Sequence, residues 1–513
     1  MHKRLNVSIF YLFYFLFILT FGFAITSPNL ILGDNRVTGS GTTYFTTVML
    51  IISGGIIISL LVFTGFRNTF KRIFWQKKAV TSKLLLFLVI ICQITFVFMV
   101  HPPIGFDAGA IHQALMDQNS VNIRSYFSQY YNNLPILLVQ RQLAKLFATS
   151  TWLFFDLITL FWVDLAAFLN ILTIKVIDRT KTAIAVYLQA AWLIVFPMII
   201  VPYTDTWVLP LVSGYLLGYS LVFYGKQAAA GKLLGAILLG GCLAAAYFIK
   251  PSAVIGGIAM LLIELIHLTA KNSIVKIIHH KNQLIAILLL MFSLGGSYYW
   301  LQQTIEQQRY IKTDPNRAVP AIHFISMGVS GTGGYNAKDA LAMAQIPTKT
   351  GRIDYSKKIL WQRLRQKGML GYAWFLIQKQ RNNTADGTFS WVKEGHFFAD
   401  GTKPQARGLT GQLEQFIYLY GTRLGDFRFL AQVWWCVMLW LIIWGWQDRS
   451  RFTQMLRLAI IGGFLYLLIF EGGRSRYLIQ FLPYFLTLAA VVSPISWKNW
   501  HFVYRWLSGK KIA

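Results

Sequence analysis

Five charged residues of the 513-residue chain have the types and surroundings needed to transfer a group between two molecules. A carboxylate held between proline and glycine residues is well placed to act as a base, and guanidinium groups bind phosphate in bidentate geometry. The two carboxylates are Asp107 and Asp205, and the three cations are Lys250, Arg474 and Arg476. This combination predicts a base together with a binding site for phosphate.

Each of these residues also has a simpler structural interpretation. Asp107 could cap the helix that follows it, and Asp205 could only form a turn. Lys250 ends an apolar run, so its side chain could extend to lipid phosphate. Glu471, which lies beside the two arginines, could form an internal salt bridge with one of them. At this stage these alternatives stay open.

Further polar residues are candidates for contacts with a substrate. The glycine-rich segment 327–336 lacks the strand, the helix and the Lys-Ser/Thr pair of a nucleotide-binding loop, so it predicts a loop that covers the site. The acid, tryptophan and glutamate of segment 383–397 predict contacts with sugar hydroxyls and sugar faces. The substrate-binding candidates are His112, Tyr335, Asn336, Asp386, Trp391, Glu394 and Glu471.

The elements that must position these residues are membrane helices. Hydrophobic residues form 55% of the chain and charged residues only 13%, and a membrane span needs about 20 mostly apolar residues. The composition predicts an all-α polytopic protein with about 12 (11–13) transmembrane helices and juxtamembrane helices on the outer face. The apolar runs lie near 7–26, 43–66, 84–100, 151–173, 182–201, 208–225, 233–249, 252–269, 284–301, 428–446, 458–470 and 477–494.

The basic residues predict the orientation of these helices. The formal net charge is +29, but much of the Lys and Arg lies in every second short loop, which marks the cytoplasmic side rather than a nucleic-acid partner. The apolar segment 134–147 is interrupted by Arg141 and Lys145. The distribution of basic residues favours an interfacial or re-entrant helix there over a membrane span. The predicted outer segments are 27–42, 101–150, 202–207, 250–251, 302–427 and 471–476.

This topology divides the chain into three regions. An N-terminal transmembrane core covers 1–301 and includes the first outer loop at 101–150. One large extracytoplasmic loop covers 302–427, and 428–513 holds the last helices and a basic cytoplasmic tail. Because the unusual polar residues fall in outer segments, the sequence predicts a multi-pass protein of the cell membrane with its site on the extracytoplasmic face.

These motifs resemble those of the GT-C superfamily of integral-membrane glycosyltransferases, particularly the bacterial branch of protein mannosyltransferases and aminoarabinose transferases. The similarity rests on the acid in the first outer loop, Tyr-Thr-Asp before Leu-Pro, Lys-Pro at the end of a span, and Glu-Gly-Gly-Arg-Ser-Arg-Tyr near the C-terminus. It implies transfer of a sugar from a polyprenyl-phosphate donor to an envelope acceptor, namely a glycopolymer, a lipid or a protein.

The resemblance also implies roles for individual residues. Asp107 would be the catalytic base, Asp205 the second acid, and Lys250, Arg474 and Arg476 the ligands of the carrier phosphate. Many relatives have two adjacent acids in the first loop, whereas Ala108 follows Asp107 here. No His, Cys and carboxylate spacing in the sequence defines a metal site, although a divalent ion (Mg²⁺ or Mn²⁺) held by Asp107 and Asp205 remains an alternative.

Two other classes of membrane protein share the predicted helix count. A transporter or flippase of lipid-linked sugars is expected to have repeated halves or broken helices, and the sequence has no convincing internal repeat. A polysaccharide polymerase or ligase would also have a large outer loop and outer arginines, but it would transfer an oligosaccharide instead of one sugar.

Overall fold

The computed structural model describes residues 2–225, 229–268, 281–391, 397–472 and 474–507, which are helical apart from loops and one isolated bridge between Ile104 and Phe398. The α-helices in these ranges are α1 (His2–Ile25), α2 (Tyr44–Val62), α3 (Thr64–Lys71), α4 (Lys78–Met99), α5 (Phe106–Met116), α6 (Val121–Gln129), α7 (Leu134–Phe147), α8 (Trp152–Ile177), α9 (Thr182–Leu193), α10 (Thr204–Trp207), α11 (Leu209–Phe223), α12 (Ala229–Ile249), α13 (Ile255–Leu268), α14 (Lys281–Glu306), α15 (Ala321–Met327), α16 (Ala337–Gln345), α17 (Lys349–Thr384), α18 (Gly408–Ile417), α19 (Leu424–Ile443), α20 (Arg451–Ile469) and α21 (Leu482–Leu507).

The described residues contain 11 helices that are long and apolar enough to cross a membrane, which confirms the predicted all-α polytopic fold. The predicted run at 182–201 is the exception. Its helix α9 has 12 residues, and a 3-10 turn then begins at Pro197. Proline has no backbone N–H to donate and so interrupts a helix. The helix α9 packs between α4 and α8.

The helix α7 is too short to span a membrane. Its 14 residues extend about 21 Å at 1.5 Å per residue, whereas the hydrocarbon core is about 30 Å thick. Pro135 lies in its first turn. The Gln140 amide donates a 2.9 Å hydrogen bond to the carbonyl of Pro202, and this bond attaches α7 to the turn that carries Asp205.

The loops predicted to lie outside the membrane contact one another at one end of the helix bundle, which we call the loop end. The contacts run between segments that are distant in the sequence. They include the hydrogen bonds from the Asn29 amide to Asp386 at 3.0 Å, from the Gly105 backbone N–H to Phe397 O at 2.7 Å, and from the Glu471 backbone N–H to Phe324 O at 2.7 Å.

The long helix α17 bends at Gly368, where φ is +60°. A left-handed backbone of this kind favours glycine, because a Cβ atom would strain it. Beyond the bend the helix packs against α1 and α20: the Gln380 amide donates to Thr20 Oγ1 at 3.0 Å and the Asn383 amide to Leu467 O at 3.0 Å. The second half of α17 is therefore packed inside the bundle.

Candidate functional site

Asp107 lies in the first turn of α5 and accepts hydrogen bonds from two tyrosines. Its Oδ1 accepts from the Tyr126 hydroxyl at 2.6 Å, and its Oδ2 accepts from the Tyr203 hydroxyl at 3.2 Å. The N-cap residue of α5 is Gly105, without a side-chain capping bond among the described residues. Asp107 is therefore more than a helix cap, because its carboxylate joins α5 to α6 and to the turn before α10.

Asn133 completes this network. Its Nδ2 donates to the Tyr126 hydroxyl at 2.5 Å, and its Oδ1 lies 3.1 Å from the Tyr203 hydroxyl, whose single hydrogen it shares with Asp107 Oδ2. Burial, and then the charge of Asp107, raises the pKa of both tyrosines above the usual value. Both hydroxyls therefore stay protonated at neutral pH and remain hydrogen-bond donors to the carboxylate.

The second part of the site is an ion cluster of one carboxylate and two cations. The Asp205 side chain, in α10, is 4% exposed; Lys250 Nζ binds its Oδ1 in a direct salt bridge, and Arg476 Nε lies 3.6 Å from its Oδ2. Burial lowers the pKa of Lys250, and the neighbouring Asp205 opposes this shift. Asp205 therefore contacts two cations, and the charge of Glu471 also acts on Lys250.

Tyr477 and Gln480 connect the cluster to the last outer turn. The Tyr477 ring centroid lies 4.5 Å from Lys250 Nζ and 5.0 Å from the Arg476 guanidinium carbon. Gln480 Oε1 accepts a 2.8 Å hydrogen bond from the Ser252 hydroxyl, which lies just after Lys250. Tyr203 is the link between the two halves of the site, since the charges of both Asp107 and Asp205 act on its hydroxyl.

A cavity of 520 Å³ borders the site and is lined by Tyr203 of the first part and Lys250 of the second, whereas Asp107, Asp205 and Arg476 are not among its lining residues. Its charged lining residues are Lys250 and Glu471, and its wall is otherwise a mixture of hydroxyl, amide and apolar groups. The lining residues are Gln129, Tyr131, Asn132, Tyr203, Thr204, Ile249, Lys250, Pro251, Ser252, Ile255, Ala318, Val319, Ala321, Phe324, Tyr466, Phe470, Glu471 and Tyr477.

An apolar groove of 620 Å³ adjoins this cavity. Ile249 lines both spaces, so the groove begins one residue from Lys250. The other walls of the groove come from α7, α8, α11, α12 and α14, with Trp162, Trp207, Phe248 and Trp300 among the lining side chains. A polar cavity that continues into a groove between membrane helices has the form expected for an amphiphilic ligand.

Glu471 lines the cavity. The side chain of Tyr335 is 61% exposed; the partial burial that remains raises its pKa, and the charges of Asp107 and Glu471 raise it further. The same two carboxylates act on Tyr130, whose pKa burial raises to about 12. Arg474 is exposed and has a left-handed backbone, with φ at +48°.

Four other predicted site residues have contacts that do not involve Asp107 or the Asp205 cluster. His112 stacks on Trp152 with ring centroids 4.0 Å apart, and burial lowers its pKa. Asn336 caps α16 by accepting from the Lys338 N–H at 3.0 Å.

The remaining two, Asp386 and Trp391, are part of the packed interior around segment 302–427. The Asp386 carboxylate accepts from the Asn29 amide and from the Thr388 hydroxyl, at 3.0 and 2.7 Å. Trp391 is fully buried and its indole N–H donates to Ile417 O at 2.7 Å. Glu394 lies outside the described residues.

Tyr126, Asn133, Tyr203 and Tyr477 belong to the site, although the sequence analysis assigned none of them a role. Three signals were present in the sequence. The run 126–133 is rich in tyrosine and asparagine, Tyr203 precedes Asp205 by two residues, and Tyr477 directly follows Arg476. A polar aromatic residue next to a candidate acid or base in an outer loop is therefore itself a candidate.

Both carboxylates that were considered for a divalent ion already have protein partners. Asp107 accepts from two tyrosines, and Asp205 binds Lys250 and Arg476. Within the described residues no group of three or more His, Cys, Asp and Glu side chains could hold a metal ion. An ion shared by Asp107 and Asp205 would have to displace these partners.

The fold and this site define a polytopic membrane protein with a charged cavity at the ends of its helices. A family model described as a conserved hypothetical integral membrane protein matches residues 1–497, so the chain belongs to this family of integral membrane proteins. No curated protein and no solved structure matches the chain.

Proposed function

We propose that the protein is a GT-C-type membrane glycosyltransferase, which transfers a sugar from a polyprenyl-phosphate donor to an acceptor on the extracytoplasmic face of the cell membrane. The observation that carries this proposal is the proximity of three features around one cavity. These are the Asp107 carboxylate, which is hydrogen-bonded to the lining residue Tyr203, the cluster of Lys250 and Arg476 at Asp205, and the adjoining apolar groove.

The cation cluster fits the phosphate of a lipid-linked donor. Lys250 and Arg476 are held close together by the buried Asp205, which reduces their mutual repulsion, and a phosphate would be attracted to both cations. Arg474 starts the same 3-10 segment as Arg476, Arg474–Phe481, and would bind the phosphate from its exposed side. Fixed cations stabilise the charge that develops on a departing phosphate.

The groove supports a lipid donor over a water-soluble one. With the phosphate at Lys250, the first carbons of a polyprenyl chain would pass Ile249 and continue between α7 and the membrane helices. Each Å² of apolar surface removed from water contributes roughly 25 cal/mol of favourable free energy. A soluble sugar nucleotide would leave this apolar lining without a partner.

Asp107 is the group suited to act as the base. Each carboxylate oxygen can accept more than one hydrogen bond, so both oxygens retain acceptor capacity beside the bonds from Tyr126 and Tyr203. In the transfer, the bond between the sugar's anomeric carbon and the phosphate oxygen breaks, and the electron pair leaves with the carrier phosphate. The acceptor oxygen forms the new bond to that carbon, and its proton moves to Asp107.

The proposal assigns Asp205 a positioning role through the two cations, since its oxygens are engaged by Lys250 and Arg476. This differs from the second catalytic acid that the resemblance implies. The long outer segment would cover the site and supply contacts with the acceptor, with Tyr335 and Glu471 as the nearest candidates.

The test is transfer of radiolabelled sugar from polyprenyl-phosphate sugars to cell-envelope material in membranes that contain the protein. Asp107→Asn should lower transfer by about 100-fold or more, because a general base typically contributes a factor of 10² to 10⁴. Asp117→Asn is the matched control, an acid at the other end of α5 that accepts only a local bond from the Asn119 N–H at 2.9 Å.

The outcomes separate the candidate classes. Transfer that needs Asp107 but not Asp117 supports the proposal. Transfer of a preassembled oligosaccharide instead of one sugar would indicate a polymerase or ligase. If deletion of the protein changes transfer from none of the donors, the assignment is wrong, and translocation of lipid-linked sugars is the next activity to measure.

A further inference from the structure

Lys379 is a fully buried cation in the second half of α17, outside the cation cluster described above. Its ammonium group donates three hydrogen bonds to backbone carbonyl oxygens: Phe470 at 2.6 Å, Gly328 at 2.7 Å and Leu468 at 3.1 Å. An ammonium has three N–H donors, so all of them are used. These carbonyls come from the end of α20 and from the residue after α15.

The three bonds satisfy groups that a helix end leaves without partners. The last four carbonyls of a helix have no acceptor role inside the helix, and a cation is favoured at this negative end of the helix dipole. Since α20 ends at Ile469, the carbonyls of Leu468 and Phe470 lie at its C-terminus. Lys379 thus fixes the point where the chain leaves α20 and enters the turn of Glu471 and Arg476.

Burying this charge is costly, which argues that it has a specific task. Burial lowers the pKa of Lys379 to about 8, and Glu471 opposes the shift. Apolar residues of similar volume are often equal or better than buried charges for stability. The buried charge of Lys379 is therefore better explained by its hydrogen bonds to three carbonyl oxygens than by a contribution to packing.

Segment 328–333, which is rich in glycine, also packs against Lys379 and the residues that follow α20. A Cβ atom on Gly328 would lie 2.7 Å from the backbone of Phe470, and one on Gly333 would lie 2.6 Å from the Lys379 side chain. The Gly472 N–H donates to Gly333 O at 2.8 Å. Segment 328–333 therefore needs glycine at these positions because it packs backbone to backbone on the turn.

We infer that Lys379 and segment 328–333 form a clamp that holds residues 470–472, and that Lys379 is a positioning residue for Glu471 and for Arg476 further along the chain. The link to catalysis rests on the proposed function, since it needs this turn to bind the carrier phosphate. The clamp itself does not depend on that function. A shift of the turn would move Arg476 away from Asp205 and Lys250 and would open the wall of the cavity at Glu471.

The first test measures the clamp without any assay of activity. Hydrogen–deuterium exchange of peptides covering 466–477 is compared between wild type, Lys379→Met and Lys367→Met in detergent or nanodiscs. Lys367 is the control because it lies in the same helix and its ammonium packs on the Phe375 ring, 4.3 Å from the centroid. Exchange in 466–477 should rise about tenfold in Lys379→Met and stay at the wild-type rate in Lys367→Met.

A pair of glycine variants keeps the test decisive if Lys379→Met does not fold. Gly331 and Gly333 both have a left-handed backbone, with φ at +47° and +87°, but a Cβ atom has open space at Gly331 and meets Lys379 at Gly333. Exchange in 466–477 should rise in Gly333→Ala more than in Gly331→Ala. Equal exchange in the two glycine variants would overturn the clamp, as would wild-type exchange in folded Lys379→Met.

The second test concerns the positioning role and uses the transfer assay. Lys379→Met should raise the KM for the polyprenyl-phosphate sugar about tenfold and leave the KM for the acceptor unchanged, because the turn contacts the donor phosphate. A merely structural defect would lower the amount of active enzyme and leave both KM values unchanged. Faster exchange with an unchanged donor KM would overturn the positioning role. Absence of transfer in the wild type would count against the proposed function alone, because the exchange test stands without it.

Discussion

Two ion clusters lie toward opposite ends of α11, and their compositions differ. At the loop end, just before α11, Asp205 binds both Lys250 and Arg476. Near the other end, Glu264 of α13 binds Arg451 of α20 and accepts a 2.6 Å hydrogen bond from Tyr219. Tyr219 follows Asp205 by 14 positions in the printed sequence, which corresponds to about 21 Å along a helix.

The two clusters differ in the number of cations that contact the carboxylate and in the space beside them. The Glu264 cluster has one carboxylate for one guanidinium, and the rings of Phe223 and Tyr224 lie 5.9 and 5.6 Å from the Arg451 guanidinium carbon. The Asp205 cluster has a second cation and borders a 520 Å³ cavity. An ion pair away from the cavity joins helices, whereas a cation that lines the cavity can bind an anion there. The comparison thus separates a structural ion pair from a candidate site.

The largest expected effect comes from removing Lys250, one of the two cations that contact Asp205. Lys250→Met should lower sugar transfer by about 100- to 1,000-fold, the loss typical of removing one donor that stabilises transition-state charge. Lys232→Met is the control, because Lys232 lies near the other end of the same helix α12 and binds Gln283 at 3.2 Å. The measurement is initial transfer rate at matched expression. Equal rates in the two variants would contradict the assignment of Lys250 to the phosphate.

The next effect concerns the carboxylates of the two clusters. Glu264→Gln removes one partner of a partly buried pair and should destabilise the protein by about 3 kcal/mol, seen as a lower unfolding temperature in detergent. Transfer per folded molecule should remain at the wild-type level. Asp205→Asn should instead lower transfer about tenfold or more, because Lys250 and Arg476 would repel each other. If Glu264→Gln lowers transfer as much as Asp205→Asn, the two clusters do not differ in the way described.

A third prediction uses ligand binding without turnover. A short polyprenyl phosphate at 100 times its dissociation constant should stabilise the wild type by about 2.7 kcal/mol. This stabilisation should disappear in Lys250→Met and persist in Glu264→Gln, and it is read from the unfolding temperature. Stabilisation by the corresponding uncharged polyprenol in the same degree would show that the chain alone binds, and that the phosphate does not reach the cations.

The smallest expected effect is a pH dependence at Lys379. Its pKa of about 8 lies below the usual value for lysine, so the ammonium loses a proton as the pH rises through about 8 and then has two N–H donors for three carbonyls. One hydrogen bond is worth about 1 kcal/mol, so exchange in 466–477, corrected for its intrinsic pH dependence, should rise about fivefold between pH 7 and pH 9. Lys379→Arg, which stays charged, should not show this rise.

Much of the fold could be predicted from the sequence, because a lipid environment imposes a simple rule on it. A span must be about 20 residues long and apolar, and most of the predicted runs are single long helices in the structure. The run at 182–201 was predicted as one span, but Pro197 divides it into α9 and a 3-10 turn. The bend at Gly368 also depends on packing of α17 against α1 and α20.

The candidate site was predicted in part. Asp107, Asp205, Lys250, Arg476 and Glu471 come together because each lies at the end of a helix, and alternation of spans brings these ends to one face. Asp386 and Trp391 lie in an outer segment as well, but hydrogen bonds to Asn29 and Ile417 hold them in its packed interior. An outer position alone therefore does not distinguish a cavity residue from a residue of the loop core.

The sequence by itself determined the class of protein, the approximate spans and the segments in which polar chemistry is concentrated, because hydropathy and charge are local properties. The tertiary structure alone decided which residues are partners. Tyr203 lies 96 positions from Asp107 and Lys250 lies 45 positions from Asp205, and their contacts depend on how the helices pack. Lys379 shows the same limit, since a lysine in a basic helix has no local feature that predicts burial among three carbonyls.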